Sequence, residues 1–296
     1  MRTFGEICLL LAFVGSGYGA FACLLAGRAP GLARSGIAAL VAACLALTGT
    51  LLALAVALVR RDFGIEYVAH HTSRMLDWPY ALSALWVGQA GSLLLWAWLS
   101  GGAMLLFLAT TRRAVLLRLP VCGLLAANVC FLIAIMVFAA DPMRASLSPR
   151  TEGLGLSPLL QHPSMLIHPP VVFLSYALFA VPAALALAAL WTGELGTQWT
   201  LIARPWALAA WLVLGGGLLL GADWAYQELG WGGYRGWDPV ENGSLIPWLT
   251  GTASVHALMA WRHRGVLKTS AVVLAILTFG LCNFATFLTR SGIFSS

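Results

Sequence analysis

Aromatic, acidic and amide side chains are concentrated in one polar stretch, residues 225–249, of an otherwise apolar chain. Rings of this kind can stack on a flat molecule, and a guanidinium can bind acidic groups at its edge. Membrane-interface belts explain scattered tryptophans such as Trp78, Trp86 and Trp96, but a belt needs no acidic or amide residues at fixed spacing. The stretch therefore predicts a platform for a flat, apolar ligand with polar edges. The candidate binding residues are Trp224, Tyr226, Trp231, Tyr234, Arg235, Trp237, Asp238, Glu241, Asn242 and Trp248.

Two histidines lie in the segment QHPSMLIHPPVVF, which precedes an apolar run. Because Pro163, Pro169 and Pro170 restrict the backbone, we expect this segment not to be plain helix and to aim His168 rigidly at a helix mouth. His168 is a candidate metal ligand and His162 a weaker one. The alternative is that both are ordinary interfacial histidines.

His256 lies eleven residues into the apolar run 245–261, about 16 Å along a helix. It shares a helix face with Trp248 and Thr252, since these residues recur every four positions. A neutral imidazole is an effective axial ligand of haem iron. The alternative is a neutral histidine bonded to a neighbouring helix.

The composition predicts an all-α integral membrane protein. Of 296 residues, 60% are hydrophobic and 9% charged, whereas soluble proteins carry about 25% charged residues. Runs of this length in lipid are helices, because every backbone group must be paired. We expect a polytopic bundle of about eight transmembrane helices in one membrane domain, residues 1–296, with a Trp-rich loop at 223–244. The apolar runs lie near 6–26, 37–59, 84–109, 114–139, 170–192, 206–222, 245–261 and 269–289.

The distribution of basic residues predicts the orientation. Nine of them fall in four short loops on one side, and eight are spread over longer segments on the other. The positive-inside rule makes the denser set cytoplasmic. Both termini and the Trp-rich loop are then expected on the outer side of the membrane. The net charge of +6 forms no basic stripe, so we expect no nucleic-acid partner.

The chain resembles the CcmF branch of the haem-handling, WWD-domain proteins of cytochrome c maturation. The resemblance includes the Trp-rich stretch and four further motifs in matching order. These motifs are GSLLLW (91–96), LLQHPSMLIHPPVVFLSY (159–176), RPWALAAW (204–211) and FLTRSG (287–292).

This resemblance implies a role in cytochrome c haem lyase, which attaches haem by thioethers to C-x-x-C-H motifs of apocytochrome c. It implies that His168 binds the iron of a transient outer-face haem and that His256 binds a buried b-type haem. The Trp-rich stretch would be the haem platform. The implied partners are a CcmE-like haem chaperone, apocytochrome c, and CcmH- and CcmI-type thiol and chaperone subunits.

Three departures from the family pattern stand out. Tyr234, Arg235 and Gly236 replace an aromatic run, and Gln89–Ala90 replaces a His–Glu pair. The resemblance covers only the N-terminal half of the family protein, so a subunit like the C-terminal half is expected to share the buried haem. A split protein is favoured over a truncation. A haem or reductant transporter and a non-catalytic assembly subunit are the alternative functions, and whether the chain is itself an enzyme stays open.

Overall fold

Helices dominate the computed structural model, which describes residues 1–111, 115–147, 150–229 and 239–290. Within these ranges the only extended pairing outside helices is a single antiparallel bridge between Ile65 and Ala145. The helices are α1 (Arg2–Leu25), α2 (Leu32–Arg60), α3 (Glu66–His71), α4 (Trp78–Ser83), α5 (Gln89–Thr110), α6 (Val115–Phe138), α7 (Pro163–Thr192), α8 (Gln198–Leu229), α9 (Pro239–Arg264) and α10 (Lys268–Arg290), with short 3₁₀ turns at Ala84–Trp86 and Pro158–Leu160.

Eight of these helices have 22 residues or more, and together they confirm the predicted all-α membrane fold. Seven are also apolar enough to cross a membrane by length and composition. The exception is α9, which has 26 residues but includes Glu241, Asn242 and Pro247 in its first half. Each of the eight predicted apolar runs thus corresponds to one long helix.

Three helices begin six or more residues earlier than the apolar runs suggest. Helix α7 starts at Pro163, α8 at Gln198 and α9 at Pro239. The expectation that prolines keep residues 163–169 from being helical is therefore wrong. The first position of a helix accepts proline, because its N–H would be unpaired anyway. Inner prolines are tolerated in membrane helices when neighbouring groups satisfy the freed carbonyls.

The chain forms two compact units. The first comprises Met1–Leu105 and Ala126–Pro170, and the second comprises Leu106–Leu125 and the described residues from Val171 on. The prediction of a single membrane domain stays a prediction. In the first unit, α1 and α2 are antiparallel, with the Thr50 hydroxyl donating to the Gly5 carbonyl at 3.2 Å. Small residues permit close approach of such helices, and a Cβ on Gly36 would lie 2.9 Å from that of Ala22.

The first unit also includes a folded layer of non-spanning chain, residues 61–88 with 139–147 and 150–160, called here the α3–α4 layer. The Arg61 guanidinium lies within it and donates to the Leu76 carbonyl at 2.7 Å. Main-chain hydrogen bonds hold the layer together: Glu66 N–H to Arg144 O (2.9 Å), Ser146 N–H to Gly64 O (2.9 Å), Leu154 N–H to Ala69 O (2.8 Å) and Gly155 N–H to Thr72 O (3.0 Å).

In the second unit, α9 packs against α8 and α10. Gly251 allows close approach to α7, since a Cβ there would lie 2.8 Å from the Phe179 ring. The buried Ser175 hydroxyl on α7 donates to the Ala210 carbonyl of α8 at 2.9 Å. These contacts fix α9, which carries His256, against its neighbours in the unit.

Candidate functional site

His256 is held by its own helix. Its Nδ1 lies 2.9 Å from the carbonyl oxygen of Thr252, one turn earlier in α9. A carbonyl only accepts hydrogen bonds, so Nδ1 is the donor and carries the proton. The neutral ring then has its lone pair on Nε2, which is the state that binds a metal.

The His256 side chain is exposed among the described residues, although we expected a histidine at this depth to face the bundle interior. The residues on either side of it, Val255 and Ala257, are buried. The imidazole is therefore exposed although both flanking residues are packed, and it lies on the face of α9 that also bears Trp248 and Thr252. That placement leaves room for a ligand beside Nε2.

A tryptophan pair supports the helix turn that bears His256. The Trp211 ring stacks on that of Trp248, with centroids 5.4 Å apart and planes 17° apart. The Trp211 indole N–H donates to the Thr252 hydroxyl at 2.7 Å. That hydroxyl donates in turn to the Trp248 carbonyl at 2.9 Å. The Trp248, Thr252 and His256 face predicted from four-residue spacing thus forms a continuous hydrogen-bonded ladder with Trp211.

The indole N–H of Trp248 is buried and has no acceptor among the residues that the structure describes. A Cβ on Gly215 of α8 would lie only 3.1 Å from this nitrogen, so glycine leaves space at the indole edge. A buried donor without an acceptor costs free energy. The site could therefore accept a polar group of a bound molecule, and the binding role of Trp248 stays a prediction.

His168 is the sixth residue of α7, which begins at Pro163. Its side chain is half-buried. Pro169 has no N–H to donate to the Met165 carbonyl, its normal helical acceptor. Instead, the indole N–H of Trp86 donates to this carbonyl at 2.8 Å. A distant side chain thus supplies a donor to the carbonyl that Pro169 leaves without its helical partner.

His162 directly precedes α7 and caps it. Its Nδ1 accepts the backbone N–H of Ser164 at 3.2 Å, and its carbonyl accepts that of Met165 at 2.9 Å. With Nδ1 used as an acceptor, the neutral ring carries its proton on Nε2 and has no free lone pair for a metal. This geometry favours capping over ligation for His162.

The Trp-rich stretch is only partly described. Trp224 and Tyr226 lie on the last turns of α8, where Tyr226 is 67% exposed and Trp224 half-buried. Glu241 and Asn242 are half-buried in the first turn of α9. The two flanks of the predicted 223–244 loop are therefore helical. The candidates Trp231, Tyr234, Arg235, Trp237 and Asp238 lie outside the described residues.

Clustered metal ligands are absent from the part of the chain that the structure describes, since no three His, Cys, Asp or Glu residues group together. No disulfide joins the six cysteines, all of which lie in the described residues and are buried or half-buried. Among the described residues, each candidate histidine therefore belongs to no cluster of three metal-ligating side chains. Haem iron needs no such cluster, because single axial residues bind it.

Sequence reasoning missed the roles of two tryptophans. Trp86 was attributed to an interface belt, and Trp211 was noted only within a motif. The signal for Trp86 was indirect, because Pro169 indicates an unsatisfied carbonyl but not its donor. Trp96, also attributed to the belt, is 2% exposed and is a core residue.

The sequence matches the family described as Cytochrome C assembly protein over residues 86–294. It is 44% identical over 246 residues to the cytochrome c-type biogenesis protein CcmF of Pseudomonas aeruginosa, covering 81% of this chain and 37% of that protein. It is 40% identical over 257 residues to the CcmF of Escherichia coli, covering 85% and 39%. A solved structure described as cytochrome c heme lyase CcmF superposes with a TM-score of 0.85 at 33% identity, covering 98% of this chain and 47% of that chain.

The chain corresponds to only part of each curated relative. The chain spans under two fifths of the curated relatives' length in the two alignments, at 37% and 39%. The structural match extends over nearly all of this chain, including α1 and α2, which precede the family match.

Proposed function

The chain belongs to the Cytochrome C assembly protein family, and from this premise we propose that it is a subunit of a cytochrome c haem lyase. Such an enzyme positions haem so that cysteine S–H groups of an apocytochrome C-x-x-C-H motif add across the vinyl groups and form thioethers. When bound, haem supplies the reactive vinyl groups, and the protein supplies orientation and axial ligation. The names of the similar proteins support this proposal, as does the ladder at His256.

His256 is assigned as an axial ligand of a buried b-type haem. The observation that carries this assignment is the hydrogen bond from Nδ1 to the Thr252 carbonyl, which leaves the Nε2 lone pair on an exposed face. The stacked Trp211 and Trp248 rings fit an aromatic molecule with polar groups at its rim, as does the buried Trp248 N–H, which has no acceptor among the described residues. A further ligand of this iron would come from a subunit that resembles the C-terminal half of the family protein.

His168 is assigned as a ligand of a second, transient haem, presented by a CcmE-like chaperone. Trp224, Tyr226, Glu241, Asn242 and Trp248 are proposed as parts of the haem platform, together with Trp231, Tyr234, Arg235, Trp237 and Asp238. Apocytochrome c and CcmH- and CcmI-type subunits are proposed as further partners. His162 is proposed to cap α7.

A spectrum of the purified complex that contains this chain tests the proposal. We expect a reduced b-type haem spectrum, and His256→Ala should remove most of it because the axial bond is lost. His263→Ala is the matched control, since His263 is an exposed histidine near the end of the same helix. A His256→Ala complex that keeps the haem-to-protein ratio of the unmodified complex would overturn the ligand assignment.

We also propose that both termini and the Trp-rich loop, predicted at residues 223–244, face the periplasm of an inner membrane. The denser basic loops on the other side support this orientation. In a cysteine-free background, a single cysteine at Ser73 of the α3–α4 layer should react with a membrane-impermeant thiol reagent added from outside. Labelling only after the membrane is permeabilised would show that the proposed orientation is wrong and that this layer faces the cytoplasm.

A further inference from the structure

Trp86 holds the helical turn that carries His168, although nothing in its immediate sequence marks it for this role. Its indole N–H donates to the Met165 carbonyl at 2.8 Å across 79 residues of sequence. Met165 is 4% exposed, so this carbonyl lies in a region where an unpaired acceptor is costly. Its ordinary partner would be the N–H of residue 169, which is proline.

The prolines weaken the connection between this turn and the rest of α7. Neither Pro169 nor Pro170 can donate to the carbonyls of Met165 and Leu166, so two consecutive helical hydrogen bonds are missing. His168 lies between the broken positions and therefore depends on other contacts for its orientation. The Trp86 bond supplies one of these contacts.

Trp86 is itself anchored from the α3–α4 layer. It closes the 3₁₀ turn Ala84–Trp86, and the buried Tyr67 of α3 secures this turn. The Tyr67 hydroxyl donates to the Ala84 carbonyl at 2.8 Å and accepts the Gly88 N–H at 3.0 Å. A continuous set of hydrogen bonds thus runs from Tyr67 through the turn and Trp86 to Met165, three residues before His168.

We propose that Trp86 is a positioning residue for His168, and that it acts by replacing the hydrogen-bond donor that Pro169 removes. The haem part of this proposal rests on the proposed function, whereas the effect on the α7 turn does not. Trp86→Phe keeps an aromatic ring but removes the N–H. Pro169→Ala restores the helical N–H and should make the Trp86 donor unnecessary.

Hydrogen–deuterium exchange of the haem-free full chain in detergent is the first measurement. Trp86→Phe should accelerate exchange of the amides of residues 164–168 by about tenfold, the effect of losing a single buried hydrogen bond. The double variant Trp86→Phe/Pro169→Ala should exchange like Pro169→Ala alone. Trp98→Phe is the matched control, because Trp98 donates to the Thr48 hydroxyl in the same unit without contacting the turn.

Titration with ferric haem b, followed by Soret absorbance, is the second measurement. Trp86→Phe should weaken the His168-dependent binding by about tenfold, and the double variant should recover it. Unchanged exchange in Trp86→Phe, or a double variant as fast as the single one, would overturn the positioning role. If His168→Ala binds haem as the unmodified chain does, the haem assignment fails, while the exchange data still decide the role of Trp86.

Discussion

The α7 turn that carries His168 and the α9 turn that carries His256 obtain their hydrogen bonds from different sources. In α9, the ring of His256 donates to a carbonyl four residues earlier in the same helix. In α7, Pro169 removes the local donor, and the Met165 carbonyl is paired with Trp86, 79 residues earlier in sequence. Both turns have an indole N–H nearby, but only the turn in α7 needs one to complete its backbone pairing.

This difference predicts which substitutions disturb each of the two histidine turns. The orientation of His256 depends on the backbone of one intact helix, which is set by short-range pairing. The orientation of His168 depends on the α3–α4 layer through Tyr67 and Trp86. Changes in that layer should therefore reach the His168 turn and leave the His256 turn unaffected.

The largest expected effect comes from Gly91→Ala in the first turn of α5. A Cβ there would overlap the Leu85 carbonyl oxygen and the Tyr67 hydroxyl. The 3₁₀ turn Ala84–Trp86, which Tyr67 secures, must therefore move. Overpacking of this kind costs about 3 kcal/mol. Thermal unfolding in detergent should show that loss, and amide exchange should accelerate at residues 164–168 but not at 252–256.

Gly102→Ala on the same helix is the control for that substitution. A Cβ on Gly102 would meet nothing within 4 Å. Replacing an exposed helical glycine by alanine should raise stability by up to about 1 kcal/mol. Equal acceleration of exchange at both histidine turns in Gly91→Ala would remove the contrast between them.

The long helices and the shared face of Trp248, Thr252 and His256 could be predicted from sequence because their signals are local, whereas the Trp211 contacts of that face could not. Apolar run length marks a spanning helix, and four-residue spacing places Trp248, Thr252 and His256 on one face. Hydropathy marks the apolar part of a helix rather than its ends, so it missed the helical residues 163–169 and 239–244.

The Trp86 contact could not be predicted because its two partners are paired only by the tertiary fold. Proline rules alone indicated a non-helical segment before residue 170. They assume that no other donor is available, and the Trp86 indole supplies one. The interior direction expected for His256 is likewise not observed among the described residues.

A smaller effect is expected from Thr252→Val, which separates side-chain support from main-chain support in α9. The variant removes the hydroxyl that accepts the Trp211 N–H, leaving a half-buried donor unpaired at a cost of about 1 kcal/mol. The Thr252 carbonyl still accepts from His256 Nδ1, so the haem band should stay while the unfolding temperature falls. Loss of haem as complete as in His256→Ala would show that the main chain alone does not orient the ring.

Thr250→Val is the matched control on the same helix. The Thr250 hydroxyl bonds back only to carbonyls of its own helix, those of Ile246 and Pro247, both at 3.2 Å. Its replacement should change stability by less than about 0.5 kcal/mol. A Thr252→Val variant as stable as Thr250→Val would remove the assigned role of the Trp211 bond.

The smallest effect concerns Glu152, which lies in the α3–α4 layer. Its carboxylate accepts the backbone N–H of Arg74 at 2.8 Å and that of Gly153 at 3.0 Å. The Arg74 N–H above all, with the Gly153 N–H and the Arg74 charge, holds the pKa of Glu152 below its ordinary value of 4.5. A group whose pKa is lower in the folded state adds stability above the unfolded pKa and loses it as the pH falls through the folded pKa.

Acidification from about pH 6 to about pH 3 should therefore loosen the layer through Glu152. Exchange at residues 153–156, corrected for the intrinsic effect of pH, should accelerate in the unmodified chain and change less in Glu152→Gln, which cannot titrate. Glu6→Gln, which removes a partly exposed ion pair with Arg2 on α1, should keep the full response. The effect is modest because Glu152 is solvent-exposed and screened. Because the α9 ladder includes no carboxylate, a Glu152-dependent response at residues 252–256 would contradict the local character assigned to the His256 turn.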